Sequence, residues 1–189
     1  MFDLTTFLKL IENGILLLKT RNVRREKFFE TIIEPIHTSF REMRKNHFDT
    51  FTFVEESLSK DNCDVNAIVS EVDRRNSKET SNWEQFGRLQ SLAHDAGVQL
   101  GEEFATYCRT LKECLDERPA ARQPMSIRFY ANLTDQLSWI ERLLAGKKTL
   151  SKQTRVQTIK EIGRLRDKFN SYCERVEASY LQLSASVRV

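Results

Sequence analysis

A chain of 189 residues that is 40% hydrophobic and 30% charged can bury a real core. Its six glycines and three prolines leave few turn signals, and apolar-polar alternation is never sustained, so an all-α fold is expected. The net charge is only +3, but it is unevenly distributed along the chain.

The first element predicted is a short helix over about 3–19. Leu4, Phe7, Leu8, Ile11, Ile15 and Leu18 share one face, which Leu10 and Leu17 widen. The run Ile15 to Leu18 is too short to span a bilayer. Lys9, Glu12 and Asn13 interrupt the segment and no small-x-small site follows it, so no secretion signal is expected and a cytoplasmic location is. Residues 1–20 read as a separable amphipathic helix within a single domain of 1–189. With the basic cluster Lys19, Arg21, Arg24, Arg25 and Lys27 behind it, residues 1–27 have the layout of a peripheral membrane contact, although docking onto the bundle or a partner needs the same pattern.

A long helix follows over roughly 22–59. Ile36, Phe40, Met43, His47, Phe51, Val54 and Leu58 recur at threes and fours, and Phe28, Phe29, Ile32 and Ile33 extend the face backwards. Pro35 fits a first turn or a kink in the longer helix, because it removes a backbone donor and fixes φ. A short helix over 64–75 comes next, then a polar loop, 74–82.

Trp83, Phe86, Gln90, Ala93, Gly97, Leu100, Phe104, Tyr107, Leu111 and Cys114 make the stripe of a second long helix, roughly 81–117. Within it Ala93, Gly97, Gly101 and Ala105 form a strip nearly without side chains. Each interior glycine costs about 1 kcal/mol relative to alanine, which close helix packing along the strip would offset. Because the stripe stays in phase, one continuous helix is predicted; the alternative is a break, with Gly97 just past one helix and Gly101 capping the next. A short helix over 126–145 and a third long helix over roughly 149–187 complete the chain, the last carrying Ile159, Ile162, Leu165, Phe169, Tyr172, Val176, Tyr180, Leu183 and Val187 on one face. The architecture expected is an elongated helical bundle of three long and three shorter helices, packed in the manner of a coiled coil.

Chemistry is sparse. Cys63, Cys108, Cys114 and Cys173 form no CxxC pair and read as reduced, buried thiols. Glu34 and His37 make a single ExxH, whereas a di-iron bundle needs two such pairs and two further glutamates. No metal or other cofactor is expected. Phosphate-binding glycine loops, nucleophile elbows and zinc-protease motifs are absent, so the chain reads as a non-enzyme.

Arg41-x5-His47 and Arg88-x5-His94 resemble the Arg-x(4 to 6)-His signature of the HEPN ribonucleases, themselves compact all-α domains. The resemblance implies that Arg41 with His47, or Arg88 with His94, assists RNA cleavage. Glu42 and Leu89 stand where that family commonly has a small polar residue after the arginine.

The charge distribution supplies the remaining candidates. Lys147, Lys148, Lys152, Arg155, Lys160, Arg164, Arg166 and Lys168 face only Glu161 and Asp167 within their own stretch, whereas residues 49–73 hold seven acids against Lys60. The basic helix could track phosphates of a nucleic acid, or meet the acidic stretch in this chain or a partner. The reading with fewest assumptions is a non-catalytic interaction or accessory subunit working through long-helix packing, with a protein partner or a homo-oligomer expected and Phe40, Phe51, Phe104, Tyr172 and Tyr180 as packing anchors.

Overall fold

Two helices begin where the sequence supplies a side-chain cap. Asp64 Oδ1 accepts the backbone N–H groups of Asn66 (2.9 Å) and Ala67 (3.1 Å), starting one helix, and Ser151 Oγ accepts that of Thr154 (3.1 Å), starting another. The computed structural model describes residues 4–20, 23–76, 88–115 and 150–188. In these, α1 is Leu4–Leu18, α2 Arg25–Phe28, α3 Glu34–Ser59, α4 Val65–Asn76, α5 Arg88–Leu100, α6 Glu102–Leu115 and α7 Lys152–Val187. The fold is an all-α helical bundle with several long helices, and the described residues include no strand. The short helix expected over 126–145 lies outside the described residues.

Proline explains an irregularity in the first long helix. Between α2 and α3 the chain takes a π-turn, Phe29–Ile33, closed by the Glu34 N–H bonding the Phe29 carbonyl. The ring of Pro35, one residue on, would clash with the carbonyl four residues back in an unbroken α-helix, and a wider turn relieves that crowding. Phe28, Phe29, Ile32 and Ile33 all stay buried through it, so the apolar face survives the change of pitch.

The second long helix departs from the continuous form predicted. It breaks at Gly101, which adopts φ +114°. Gly101 donates its N–H to the Ala96 carbonyl five residues back (3.2 Å), and its own carbonyl accepts from Ala105 (3.5 Å), so one residue ends α5 and begins α6. Gly97 remains inside α5 rather than lying past its end. The small strip serves this corner and not the seating of another helix: a Cβ on Gly97 would lie 2.9 Å from that of Ala105. The tight approach to another element occurs at Gly14, where a Cβ would meet Ile32 and Leu92 side chains at 3.0 Å, which fixes α1 close to the π-turn and α5.

The helices distribute between two compact units, with α3 and α7 contributing to both. The first draws on residues 1–44, 82–117 and 171–189. Its core includes Phe7, Ile11, Leu18, Phe28, Ile33, Phe40, Leu92, Phe104, Tyr107 and Val176. The apolar face of α1 is therefore spent inside this unit, leaving Leu16, 59% exposed, as its protruding large apolar side chain. The second unit draws on residues 45–81 and 118–170. There Phe51, Val54, Leu58, Val65, Ile68, Val72, Ile162 and Leu165 are buried, and Phe169 sits among the rings of His47, Phe48 and Phe51 at 5.4, 5.6 and 6.3 Å between centroids. No described helix is long and apolar enough to cross a membrane.

Along α7 the deep positions are Thr158, Ile162, Leu165, Phe169, Cys173, Val176, Ser179 and Leu183. Tyr172 and Tyr180, placed on the central stripe by sequence, lie at its margins and are half-buried. At 3.6 residues per turn, two neighbouring residues compete for the seam between Phe169 and Val176, and the smaller Cys173 takes it.

Candidate functional site

A buried polar cluster in the first unit gathers side chains from α3, α6 and α7. His37, one turn into α3 and only 2% exposed, turns Nε2 toward Glu177 Oε2 on α7 (3.2 Å) and Nδ1 toward the Tyr107 hydroxyl on α6 (3.3 Å). Its ring stacks on Tyr180, with centroids 3.7 Å apart and planes within 4°. One turn on, Arg41 grips Glu177 with Nε (3.0 Å) and Nη2 (2.8 Å), and Arg44 approaches the same carboxylate at 3.9 Å.

Electrostatics fix the protonation states. Burial lowers His37 to about 4, and although Glu177 pulls the other way, desolvation dominates. The bidentate bond from Arg41 holds Glu177 below the usual carboxylate range, and burial raises Tyr107 well above that of phenols. A neutral imidazole between an ionised carboxylate and a protonated phenol has one consistent tautomer: Nε2–H donates to Glu177, and Nδ1 accepts from the Tyr107 O–H. This order of hydroxyl, imidazole and carboxylate is that of a nucleophile, base and orienting acid. Tyr107 is wholly buried, and the chain of hydrogen bonds ties α3, α6 and α7 together.

Surface hollows lie elsewhere in the unit. A groove of about 860 Å³ between α1 and α5 is lined by Glu12, Ile15, Leu16, Lys19, Arg88 and His94, among others. A second, of about 350 Å³, sits in the corner between α5 and α6 and includes Gln90, His94, Gly97, Val98 and Arg109. His94 and Gln90 belong to both, so the two hollows meet along α5. Val98 protrudes beside them, 74% exposed.

The residues singled out by sequence separate accordingly. Arg88 and His94 line one groove, where Arg88 bonds Glu12. Arg41 serves Glu177, in the first unit, while His47 belongs to the second, buried beside Phe169. Lys147 and Lys148 lie outside the described residues. Arg155 bonds the Lys60 carbonyl and Asp61, Arg164 pairs with Glu161, Arg166 with Glu55 (2.6 Å) and Lys168 is likewise engaged, while Lys152 and Lys160 are exposed. Arg155 and Arg166 thus meet the acidic stretch of the same chain. Ala93 and Ala105 are buried and, with Gly97 and Gly101, define the α5–α6 corner.

Such pairs stabilise little. Arg166→Ala is expected to lower stability by about 0.5–1 kcal/mol in urea denaturation, because its side chain remains 36% exposed.

Sequence reasoning found His37 only as half of an ExxH and missed Glu177 and Tyr107. Among the described residues no group of three or more His, Cys, Asp or Glu is arranged to hold a metal. A signal for Glu177 did exist, in a carboxylate flanked by the apolar-stripe residues Val176 and Tyr180 on a helix otherwise rich in cations. Compared with known proteins, the chain matches no family model, no curated protein and no solved structure.

Proposed function

We propose that the chain is a non-catalytic helical interaction subunit whose ligand is a protein surface, a second copy of the chain being the first occupant to test. The observation that carries this reading is the exposure of Leu16 and Val98 beside two hollows that join at His94. Apolar side chains rimmed by charge are the pattern of protein contact. Beside the internal Arg88–Glu12 pair the rim holds Asp95 and Lys19, so a two-fold mate can set its cation against this anion and the reverse. His37 supports the same reading, since its ring is consumed in joining three helices.

Sedimentation tests it. The wild-type chain is expected to self-associate with a Kd below roughly 100 μM, while Leu16→Asp with Val98→Asp is monomeric and changes stability by no more than about 0.5 kcal/mol. A wild-type chain that stays monomeric throughout that range overturns the homotypic form.

A second reading has one specific observation in its favour: Arg88 and His94, the pair resembling the HEPN signature, line a single groove. It requires RNA cleavage that Arg88→Ala and His94→Ala each abolish. Nucleic-acid binding through the basic helix requires instead a steep salt dependence lost on changing the exposed Lys152 and Lys160 to Glu.

A further inference from the structure

Helices α6 and α7 run antiparallel with a register that several independent contacts define. Tyr107 meets Tyr180 (ring centroids 6.0 Å apart), Thr110 Oγ1 lies 2.8 Å from Ser179 Oγ, and Glu113 pairs with Arg175. Each advance along α6 is matched by a retreat along α7, so the next inward position, 114, falls opposite 173. Both are cysteines, both are free thiols, and both are buried, at 3% and 0% exposure.

We infer that Cys114 and Cys173 form a paired dithiol that closes to a disulfide across the α6–α7 seam when a small-molecule disulfide is the oxidant. Interhelical disulfides need Cα atoms within about 4.4–6.8 Å, a spacing reached where small residues line the contact. Here the seam is narrow enough for the Thr110 and Ser179 hydroxyls to touch. The thiols also face one another directly: the Cys173 side chain, as a hydrogen-bond neighbour, is the foremost influence holding the Cys114 thiol protonated, with burial second and Arg175 and Arg44 opposing.

The chemistry balances without a metal. One protein thiol loses its proton, and the thiolate attacks the small disulfide, releasing half of it as a thiolate and leaving a mixed disulfide. The second protein thiol loses its proton and displaces the other half. The S–S bond forms, and two small thiols leave with the two electrons and the two protons. Burial makes the first step depend on opening of the seam, which separates this pair from Cys63, a half-buried thiol that oxidant reaches more readily.

Topology gives the bond its effect. The chain passes from the first unit to the second after residue 117 and returns at 171, so the two cysteines flank the entire excursion through residues 118–170. A cross-link there closes a long loop and removes entropy from the unfolded chain.

The test treats the full chain, folded and carrying Cys63→Ser, with oxidised glutathione, and maps tryptic peptides without reduction. The expected product joins residues 113–122 to 169–175, is about 2 Da lighter than the reduced protein, reverts with dithiothreitol, and melts roughly 10 °C higher. Cys114→Ser or Cys173→Ser abolishes the link and the gain. Should the folded protein keep both thiols free under conditions that oxidise the urea-unfolded chain, or should Cys108 capture either partner instead, the inference fails, and peptide mapping decides this even if a serine variant does not fold.

Discussion

Acidification from pH 7 to 4 is expected to remove on the order of 3 kcal/mol of stability, most of it through His37. Its folded value of about 4 lies below the ordinary imidazole value of 6.5, so between those limits the unfolded chain binds a proton that the folded chain refuses. Stability is then complete above about pH 6.5 and drains as pH falls toward 4. Glu177, whose acidity is enhanced by Arg41, adds a loss of the same sign at still lower pH. His37→Phe keeps the ring stacked on Tyr180 but cannot titrate. It leaves the buried Tyr107 hydroxyl without its acceptor and is expected to cost about 1–3 kcal/mol at pH 7. Urea denaturation at several pH values checks both effects. The decisive result is the slope: the variant is nearly flat between pH 6.5 and 4.5, and a slope equal to that of the wild type would place the titration elsewhere.

That cluster marks the boundary of what sequence pattern conveys. The 3.6-residue repeat identified the buried face of α3 from Ile36 to Leu58, because each of those positions needs only to be apolar and inward, a local property. His37 neighbours that face, but its role depends on Glu177, 140 positions away, and on Tyr107, 70 away, and periodicity within one helix carries no information about partners on two others. The basic stretch near residue 160 was legible as charge, and the acidic stretch near 60 as its complement. Their pairing through Arg155–Asp61 and Arg166–Glu55 followed from opposite sign plus proximity, and sequence supplies only the sign. The corner at Gly101 was obscured for a different reason. A stripe that stays in phase across a break looks continuous, and both halves bury their apolar residues: Leu89, Leu92 and Ala96 before it, Phe104, Cys108 and Leu111 after. The two glycines supplied the signal, and their ordering decided between the readings: only Gly101 has a backbone angle that other residues avoid.

Substituting those glycines separates the two forms by sign. In an unbroken helix, Gly97→Ala and Gly101→Ala would each stabilise by about 1 kcal/mol through helix propensity. At the corner observed, Gly101→Ala forces a Cβ into φ +114°, at a cost of about 1–2 kcal/mol, with no helical gain to offset it. Gly97→Ala keeps its propensity gain but sets a methyl 2.9 Å from the Ala105 methyl, which is fixed to its own backbone and yields only if the corner opens, an overpacking worth about 1–3 kcal/mol. The double variant is therefore expected to lose about 2–3 kcal/mol in urea denaturation, where a straight helix would gain about 2. A cycle with Ala105→Gly assigns the cause. Removing the Ala105 methyl should restore most of what Gly97→Ala loses, giving a favourable coupling above about 0.5 kcal/mol, whereas strain confined to Gly101 would leave the cycle additive. The same substitutions bear on function: the hollow holding Val98 and Arg109 exists because α6 turns back on α5 at this corner, so variants that open it should weaken self-association in proportion to the stability they cost. Association that persists undiminished in the double variant would place the contact surface on another face of the molecule.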